Sequence, residues 1–311
     1  MKSSSTITKF IFSCKPGSFF SLFGFLLFLN TSHAQNFDTV QIKTARLTES
    51  IYMLEGSGGN IGLCIGNDGA FIIDDQFAPL TPKIKAAIAK LTDKPVQFVI
   101  NTHWHYDHTG GNENFGTGGS IIVSQENSRR RMQADQFLGS PAQKQAAYSS
   151  AGLPKITFTQ SMTFYYNGET IQVFHVANAH TDGDAIIYFE KSNIAHMGDV
   201  FVRYGFPFID EPNGGNVNGM IETIDSVIDL VNTNTVIIPG HGQLSKKEDL
   251  VNYNNMLKTV RDRVKKMMDE GKTMEQIIAA DPMSGFEKRG VGVAEFVKVV
   301  YDSMLKSRKK Q

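Results

Sequence analysis

The sequence predicts an α/β domain built from two β-sheets that carry helices on their outer faces. Short apolar runs of strand length alternate with segments whose apolar residues recur at helical spacing, in both halves of the chain. Such elements bury their apolar sides by packing in layers. Five histidines also stand at predicted strand ends or in loops, beside glycine or an acidic residue: His103, His105, His108, His180 and His241. Histidines scattered through a core would not collect at strand ends, so these five predict a site.

Residues 1–34 have the pattern of a secretory signal peptide. Their charges are Lys2, Lys9 and Lys15, and the apolar run 19–29 follows, interrupted by one serine and one glycine. Small residues come next, ending at Ala34, as a signal peptidase requires. The run is shorter than a membrane span, although an uncleaved N-terminal anchor is the alternative. We expect residues 35–311 to form one exported domain, periplasmic or secreted, with no stable membrane insertion after cleavage.

The charge and cysteine content exclude two classes. The chain has 31 basic and 31 acidic residues, and loss of three lysines with the signal would leave 28 against 31, a net charge of −3. A general nucleic-acid binder would show a basic surplus, so we expect no nucleic-acid partner. Cys64 would be the one remaining cysteine, which excludes an internal disulfide and makes the fold depend on its own core.

The first half of the domain predicts strands before the histidine-rich motif. Residues 61–65 and 70–73 flank an Asn-Asp-Gly turn and predict a hairpin. Helical spacing follows over 81–91, and the apolar run 96–100 predicts a buried strand that ends at the first histidines. Two further elements are predicted before residue 138, a strand at 121–123 and a helix at 126–137.

The second half repeats the alternation of strands and helices. Its predicted strands lie at 171–176, 185–189, 193–197 and 235–238. Its predicted helices cover 219–231, 246–270 and 293–306. The segments near 137–156 and 202–219 are predicted loops, and we expect them to determine substrate choice.

The run from His103 to His108, His-Trp-His-Tyr-Asp-His, indicates a metal site. Residues two apart on extended backbone share a face, so His103 and His105 can bind one ion. The chain then turns, which lets Asp107 and His108 reach a second ion. Imidazole and carboxylate suit Zn²⁺, and iron and manganese take the same ligands.

The run resembles the His-x-His-x-Asp-His signature of the metallo-β-lactamase superfamily. The later motifs occur in that family's order: His180 in Ala-His-Thr-Asp-Gly-Asp, Asp199 in Met-Gly-Asp, and His241 in Pro-Gly-His-Gly. The resemblance covers nearly all of residues 35–311. It implies an αββα sandwich with metals at one edge between the sheets.

The resemblance also implies a ligand set for two zinc ions. His103, His105 and His180 would bind the first ion, Asp107, His108 and His241 the second, and Asp199 would bridge both. A hydroxide shared by ions about 3.5–4 Å apart would be the nucleophile. Asp107 and Asp199 would be the catalytic residues that orient this hydroxide and relay its proton.

Asp199 bears on the subclass. True β-lactamases of the superfamily usually have cysteine or serine there, whereas the lactonase-like, glyoxalase-like and sulfatase-like branches have aspartate. Cys64 lies far from every ligand motif and is predicted to be a core residue. His105 separates the chain from flavin-linked di-iron relatives, which have glutamate there.

Each of the weaker candidates has two possible interpretations. One of Asp74 and Asp75 could support a ligand histidine or simply close a strand. Tyr204 could donate a hydrogen bond to a developing oxyanion or pack as an aromatic residue. The glycine-rich residues 56–60 could form a flap or a hairpin turn. His175 and His196 lie inside predicted strands and are expected to pack without binding metal.

These motifs predict a zinc-dependent hydrolase that attacks a small carbonyl substrate, such as a lactone, lactam or thioester. Three alternatives remain: a β-lactamase proper, a mononuclear iron dioxygenase acting on persulfides, and a non-enzymatic exported metal-binding protein.

Overall fold

The computed structural model describes residues 36–138 and 143–308, with side chains through residue 306. The predicted signal peptide, residues 1–34, lies outside the described residues and stays a prediction. Within the described ranges, no helix is both long enough and apolar enough to cross a membrane.

The first sheet has seven strands: β1 Lys43–Arg46, β2 Ile51–Glu55, β3 Ile61–Gly66, β4 Gly69–Ile73, β5 Val96–Ile100, β6 Ile121–Gln125 and β9 Ile156–Phe158. They are hydrogen-bonded in that order. β1 to β4 are antiparallel neighbours, whereas β4, β5, β6 and β9 run parallel. The parallel strands therefore end at the same edge of the sheet.

The second sheet has five strands: β10 Ser161–Tyr166, β11 Glu169–Val176, β12 Asp184–Phe189, β13 Ile194–His196 and β14 Val236–Ile238. β10 to β13 are antiparallel, and β14 adds in parallel to β13. A separate two-stranded hairpin pairs β7 Gln136–Phe137 with β8 Lys144–Gln145.

The described residues form eight α-helices: α1 Thr81–Ala89, α2 Tyr106–Thr109, α3 Asn112–Thr117, α4 Glu126–Met132, α5 Val217–Leu230, α6 Lys247–Asp269, α7 Met274–Ala279 and α8 Val293–Arg308. The apolar side of α1 shares a core with the first sheet. α5, α6 and α8 share another core with the second sheet. The order of layers is helix, sheet, sheet, helix, which confirms the predicted αββα sandwich.

A third core lies between the sheets and follows from alternation along the strands. In β4, Phe71 and Ile73 face the second sheet, whereas Ile72 faces the helices of the first layer. Cys64 of β3 is fully buried in the same core, as predicted, and burial raises the pKa of its thiol to about 11. Strands buried on both faces read as continuous apolar runs, which explains why β3 and β4 are visible in the sequence.

The predicted helix at 126–137 is wrong beyond Met132. Met132 is the last buried residue of α4, and Gln133 to Asp135 are exposed, so no apolar face remains to bury. The chain then enters the β7–β8 hairpin. The other predicted helices and strands of the domain are confirmed to within a few residues.

Candidate metal centre

Loops that follow strand ends bring all seven predicted ligand residues together. His103, His105, Asp107 and His108 come after β5, partly on the first turn of α2. His180 follows β11, Asp199 follows β13 and His241 follows β14. Residues 101–105 form bends instead of a strand, so His103 and His105 converge through loop geometry and not through strand alternation.

The first group of donors contains His103, His105 and His180. Their ligand atoms lie within 4.8 Å of one another, and all three side chains are buried. His105 Nδ1 and His180 Nε2 are 2.9 Å apart. Among the described residues, nothing forms a hydrogen bond with His103 Nε2.

The outer nitrogen of each of these rings is held by a polar partner. His105 Nε2 lies 3.0 Å from Asp210 Oδ2, and His180 Nδ1 lies 2.9 Å from the Phe208 carbonyl oxygen. His103 Nδ1 lies 3.0 Å from Thr102 Oγ1, whose own proton goes to Asp74. Each outer nitrogen therefore donates its proton, which leaves the inner nitrogen with a free lone pair.

The second group contains Asp107, His108 and His241, whose ligand atoms also lie within 4.8 Å of one another. His241 Nε2 is 3.1 Å from Asp107 Oδ2 and 3.2 Å from His108 Nε2. Asp74 Oδ2 accepts from His108 Nδ1 at 2.7 Å. Of the two residues that the sequence left open, Asp74 is thus the one that supports the candidate ligand His108. Asp75 instead accepts from the Gly111 amide at 2.8 Å.

Asp199 lies between the two groups. Its Oδ1 is 3.1 Å from His108 Nε2 and 3.4 Å from His241 Nε2. Its Oδ2 is 3.8 Å from His180 Nε2. A third set of convergent donors joins Asp199 to His103 of the first group and His108 of the second.

The pKa shifts indicate that this cluster of donors stabilises positive charge. Burial lowers the pKa of His180 to about 4, so this ring is neutral and can donate a lone pair. Burial opposes charge on His108 as well, but the carboxylates of Asp199, Asp107 and Asp74 outweigh it and raise its pKa. Burial alone would raise the pKa of Asp199, but His241 and His108 outweigh it and hold that pKa well below its usual range.

The donor set fits metal ions. Two neutral ring nitrogens 2.9 Å apart would each point a lone pair at the other. A buried His103 Nε2 without a partner among the described residues carries the cost of an unmade hydrogen bond. Cations between the rings would relieve both problems. Together, the superfamily match reported below and these His/Asp clusters indicate a binuclear metal site.

The remaining histidines form hydrogen bonds with backbone groups. His196 is fully buried; its Nε2 donates to the Asn60 carbonyl at 3.1 Å, and its Nδ1 accepts from the Gly198 amide at 3.3 Å. It therefore fixes the residue before Asp199. His175 Nδ1 lies 2.8 Å from the Asp184 carbonyl oxygen. Neither residue belongs to a group of convergent donors in the described part of the chain.

Residues 56–60, called here the glycine strap, tie the motif loops together. The Gly59 amide donates to the Asp107 carbonyl at 3.0 Å, and the Asn60 amide donates to the Gly240 carbonyl at 2.7 Å. The Asn60 side chain donates to the carbonyls of Pro239 and Gly242 at 2.9 and 2.8 Å. The strap is thus packed against the second group. This packing supports neither of the two predicted roles, a free flap or an isolated hairpin turn.

Asp210, Asn60 and Thr102 support the site, yet the sequence analysis gave them no role. Asp210 lies within the predicted loop 202–219, but the sequence did not pair it with His105. Its partner lies 105 residues away in the chain, and no local spacing signals such a pair. Of these three supporting residues, only Thr102 could have been identified from the sequence, because it directly precedes His103.

A cavity of about 920 Å³ opens onto the second group and Asp199. Tyr204 and Phe208 line it from the predicted loop 202–219, and residues 143–149 line it from the predicted loop 137–156. The Tyr204 ring lies 5.7 Å from the His241 ring, centroid to centroid. Burial and the nearby Asp199 carboxylate raise the pKa of Tyr204, so its hydroxyl keeps its proton.

Comparisons with known proteins agree with this architecture. The fold is similar to the metallo-beta-lactamase from Pontibacter korlensis, with a TM-score of 0.59 and 18% identity over 70% of this chain and 99% of that one. It is also similar to the sec-alkylsulfatase Pisa1 from Pseudomonas sp., with a TM-score of 0.63 and 14% identity over 85% of this chain and 50% of that one. These likenesses show a shared fold.

The family model of the metallo-beta-lactamase superfamily matches residues 54–241, more than half of the chain. The match includes every predicted ligand from His103 to His241, and most members of this superfamily are hydrolases. The resemblance predicted from the sequence is confirmed: the chain belongs to the metallo-beta-lactamase superfamily.

Proposed function

We propose that this protein is a binuclear zinc hydrolase that opens or cleaves a carbonyl compound, such as a lactone, lactam or thioester. The observation that carries the proposal is the position of Asp199. One of its oxygens faces His108 at 3.1 Å and the other faces His180 at 3.8 Å. A carboxylate placed this way can give one oxygen to each of two cations and offset their repulsion.

The donor chemistry favours zinc. Five imidazoles with two carboxylates suit Zn²⁺, and a site with three histidines leaves a coordination position open. Two zinc ions held by these residues would lower the pKa of water and polarise a substrate carbonyl.

The chain's own residues can move and donate protons. Burial would raise the pKa of Asp107, but His108 and His241 outweigh it and lower that pKa to about 2. Asp107 is therefore a carboxylate at neutral pH, and it lines the cavity, where it can orient water and accept its proton. Tyr204 retains its hydroxyl proton in the same cavity and can donate to a developing oxyanion. Tyr204→Phe should then lower kcat while the metal content stays unchanged.

The three alternatives have less support. A β-lactamase proper would usually have cysteine or serine in place of Asp199. A mononuclear iron dioxygenase would leave one of the two donor groups without an ion. A non-enzymatic binding protein has no need for a 920 Å³ cavity that opens onto the donors.

Asp199→Asn tests the proposal. The variant keeps the shape but loses the negative charge, so we expect weaker binding of the second ion and at least about a tenfold loss of activity. Asp199→Ser imitates one β-lactamase arrangement and should lose metal as well. Zinc per chain and hydrolysis rates are the measurements. Full metal content with full activity in Asp199→Ser would remove Asp199 from the ligand set.

A matched pair of histidine variants provides the control. His103→Ala should lose metal and activity together, whereas His175→Ala should keep both. The substrate panel for zinc-loaded protein contains lactones, carbapenems, thioesters, and sulfate and phosphate esters. Iron at one ion per chain with oxygen uptake would support the dioxygenase, and inertness toward the whole panel at full zinc loading would support the binding protein.

A further inference from the structure

Apart from the candidate metal ligands, two of the three charged side chains that line the cavity are acidic. Glu113 and Glu295 are exposed at its rim, and Asp107 and Asp199 lie at its floor. Among the described lining residues, Lys144 is the one lysine, and no arginine lines the cavity.

Lys144 is already paired. Its Nζ lies 2.6 Å from Asp135 Oδ2, across the β7–β8 hairpin. Asp135 is fixed there by a second contact, since its Oδ1 accepts from the Ala147 amide at 3.0 Å. The pair is half-exposed, so solvent screens it and it adds little stability. A substrate anion that displaced Asp135 from Lys144 would still lie beside the Asp135 carboxylate, which would repel it.

The rim acids have no such partner. Within the described part of the chain, neither Glu113 nor Glu295 forms an ion pair. Their charges lie at the mouth of a cavity, where low-dielectric walls strengthen the field that an entering ligand meets. An anionic group far from the metal cluster would approach two uncompensated carboxylates.

Aromatic rings form much of the remaining wall. The Tyr106 ring packs against the rings of Phe77 and Tyr148, with centroids 5.7 and 6.4 Å away. The Phe208 ring packs 5.9 Å from that of His105. The Tyr148 hydroxyl lies 2.6 Å from Thr109 Oγ1, so its polar end is occupied and the ring is free to contact a ligand. Such surfaces bind apolar and aromatic groups.

We propose that the part of the substrate away from the scissile bond is uncharged and apolar, an aryl group or a medium-length alkyl chain, and that an anionic group there is rejected. This inference rests on the hydrolase function proposed above and names its substrate class. It separates the protein from enzymes whose substrates carry a carboxylate or sulfate recognised by a free cationic side chain.

The test is a pair of esters that differ only in a terminal charge: 4-nitrophenyl hexanoate and the mono-4-nitrophenyl ester of adipic acid. In both, the water oxygen bonds to the acyl carbon, the bond to 4-nitrophenolate breaks with its electron pair, and the water protons pass to solvent. For zinc-loaded protein, kcat/KM should favour the hexanoate by about tenfold or more. Activity that survives removal of zinc by chelation is subtracted.

Charge-reversal variants locate the cause. Glu295→Lys and Glu113→Lys should raise kcat/KM for the adipate ester relative to the hexanoate by several-fold. The matched control is Glu222→Lys, which makes the same charge change at an exposed position of α5 outside the cavity lining, and it should leave the ratio at the wild-type value. Lys144→Met should also leave the hexanoate preferred.

The outcomes separate the two proposals. An adipate ester preferred by the wild type, or a tenfold selective loss of adipate hydrolysis in Lys144→Met, would overturn the substrate inference while hydrolysis itself stands. If neither ester is cleaved, calorimetric binding of hexananilide and of adipic acid monoanilide decides. Tighter binding of hexananilide would keep the inference and leave the hydrolase function to the substrate panel described above, and equal or weaker binding would overturn the inference.

Discussion

Asp74 adopts a left-handed backbone conformation, with φ of 62°, directly after β4. A non-glycine residue there is strained and tends to occur at functional sites. The conformation lets one buried carboxylate accept from the Thr102 amide at 2.8 Å, from Thr102 Oγ1 at 2.7 Å and from His108 Nδ1 at 2.7 Å. Asp74 thereby fixes the proton on the outer nitrogen of His108.

Asp74→Asn should therefore weaken metal binding at the second group. Asparagine tolerates the left-handed conformation, but its amide group would donate toward His108 Nδ1. The imidazole proton would then move to Nε2, which faces the other donors. We expect zinc affinity at that group to fall by about 10–100-fold, as for other supports of metal ligands, measured by competition with a chromophoric chelator.

The matched control is Asp75→Asn at the next residue. Asp75 is also fully buried, and burial raises the pKa of its carboxyl well above the usual range. Asparagine keeps the shape of this side chain. Its Oδ1 can still accept from Gly111. Asp75→Asn should bind zinc like the wild type. Equal affinities in the Asp74 and Asp75 variants would contradict the assigned role of Asp74.

At the residue scale, the ligand candidates were predictable but their supports were not. Histidine and aspartate at short fixed spacing identify a metal motif within one stretch of chain, as in residues 103–108. Asp210, Asn60 and His196 act through contacts that join distant loops. Such pairs depend on how the sheets pack, which a spacing rule along the chain does not contain.

At the scale of elements, the glycine strap needs Gly59 because the ring of His108 occupies the space of a side chain. A Cβ at residue 59 would lie 2.1 Å from Cε1 of that ring. Gly59→Ala should displace His108, lower the metal content at the second group and destabilise the fold by about 1–3 kcal/mol. Metal analysis and thermal unfolding measure both effects.

Gly292→Ala provides the comparison for this substitution. A Cβ at residue 292 would meet no atom within 4 Å. This variant should keep the metal content and stability of the wild type. A Gly59→Ala protein with unchanged metal content and unfolding temperature would show that the strap does not position His108.

The elements differ in how well the sequence predicts them. Strands β3 and β4 are buried on both faces and read as apolar runs. β5 is fully buried only at Val99 and Ile100, so the prediction of a buried strand over 96–100 holds only for its last two residues. β10 was missed because its residues alternate between exposed and half-buried positions and it lies at an edge of the second sheet. β9 has only three residues, two of them exposed. These edge strands therefore lack a continuous apolar signal. β2 was also not predicted although it is internal and largely buried, so edge position is not the whole reason.

For the whole molecule, export is a separate prediction. The basic, apolar and small-residue order of residues 1–34 predicts cleavage near Ala34. Mass spectrometry of protein recovered outside the cytoplasm should give an N-terminus near Gln35. A mature chain that retains Met1 would instead indicate an uncleaved segment.

The loops that follow β5, β11, β13 and β14 bring both donor groups together around Asp199. The central claim is that this arrangement holds two metal ions. Elemental analysis of protein saturated with zinc and then dialysed tests it directly. The account predicts about two zinc ions per chain, falling together with activity in His103→Ala. A wild-type protein that binds at most one ion at saturating zinc would contradict it.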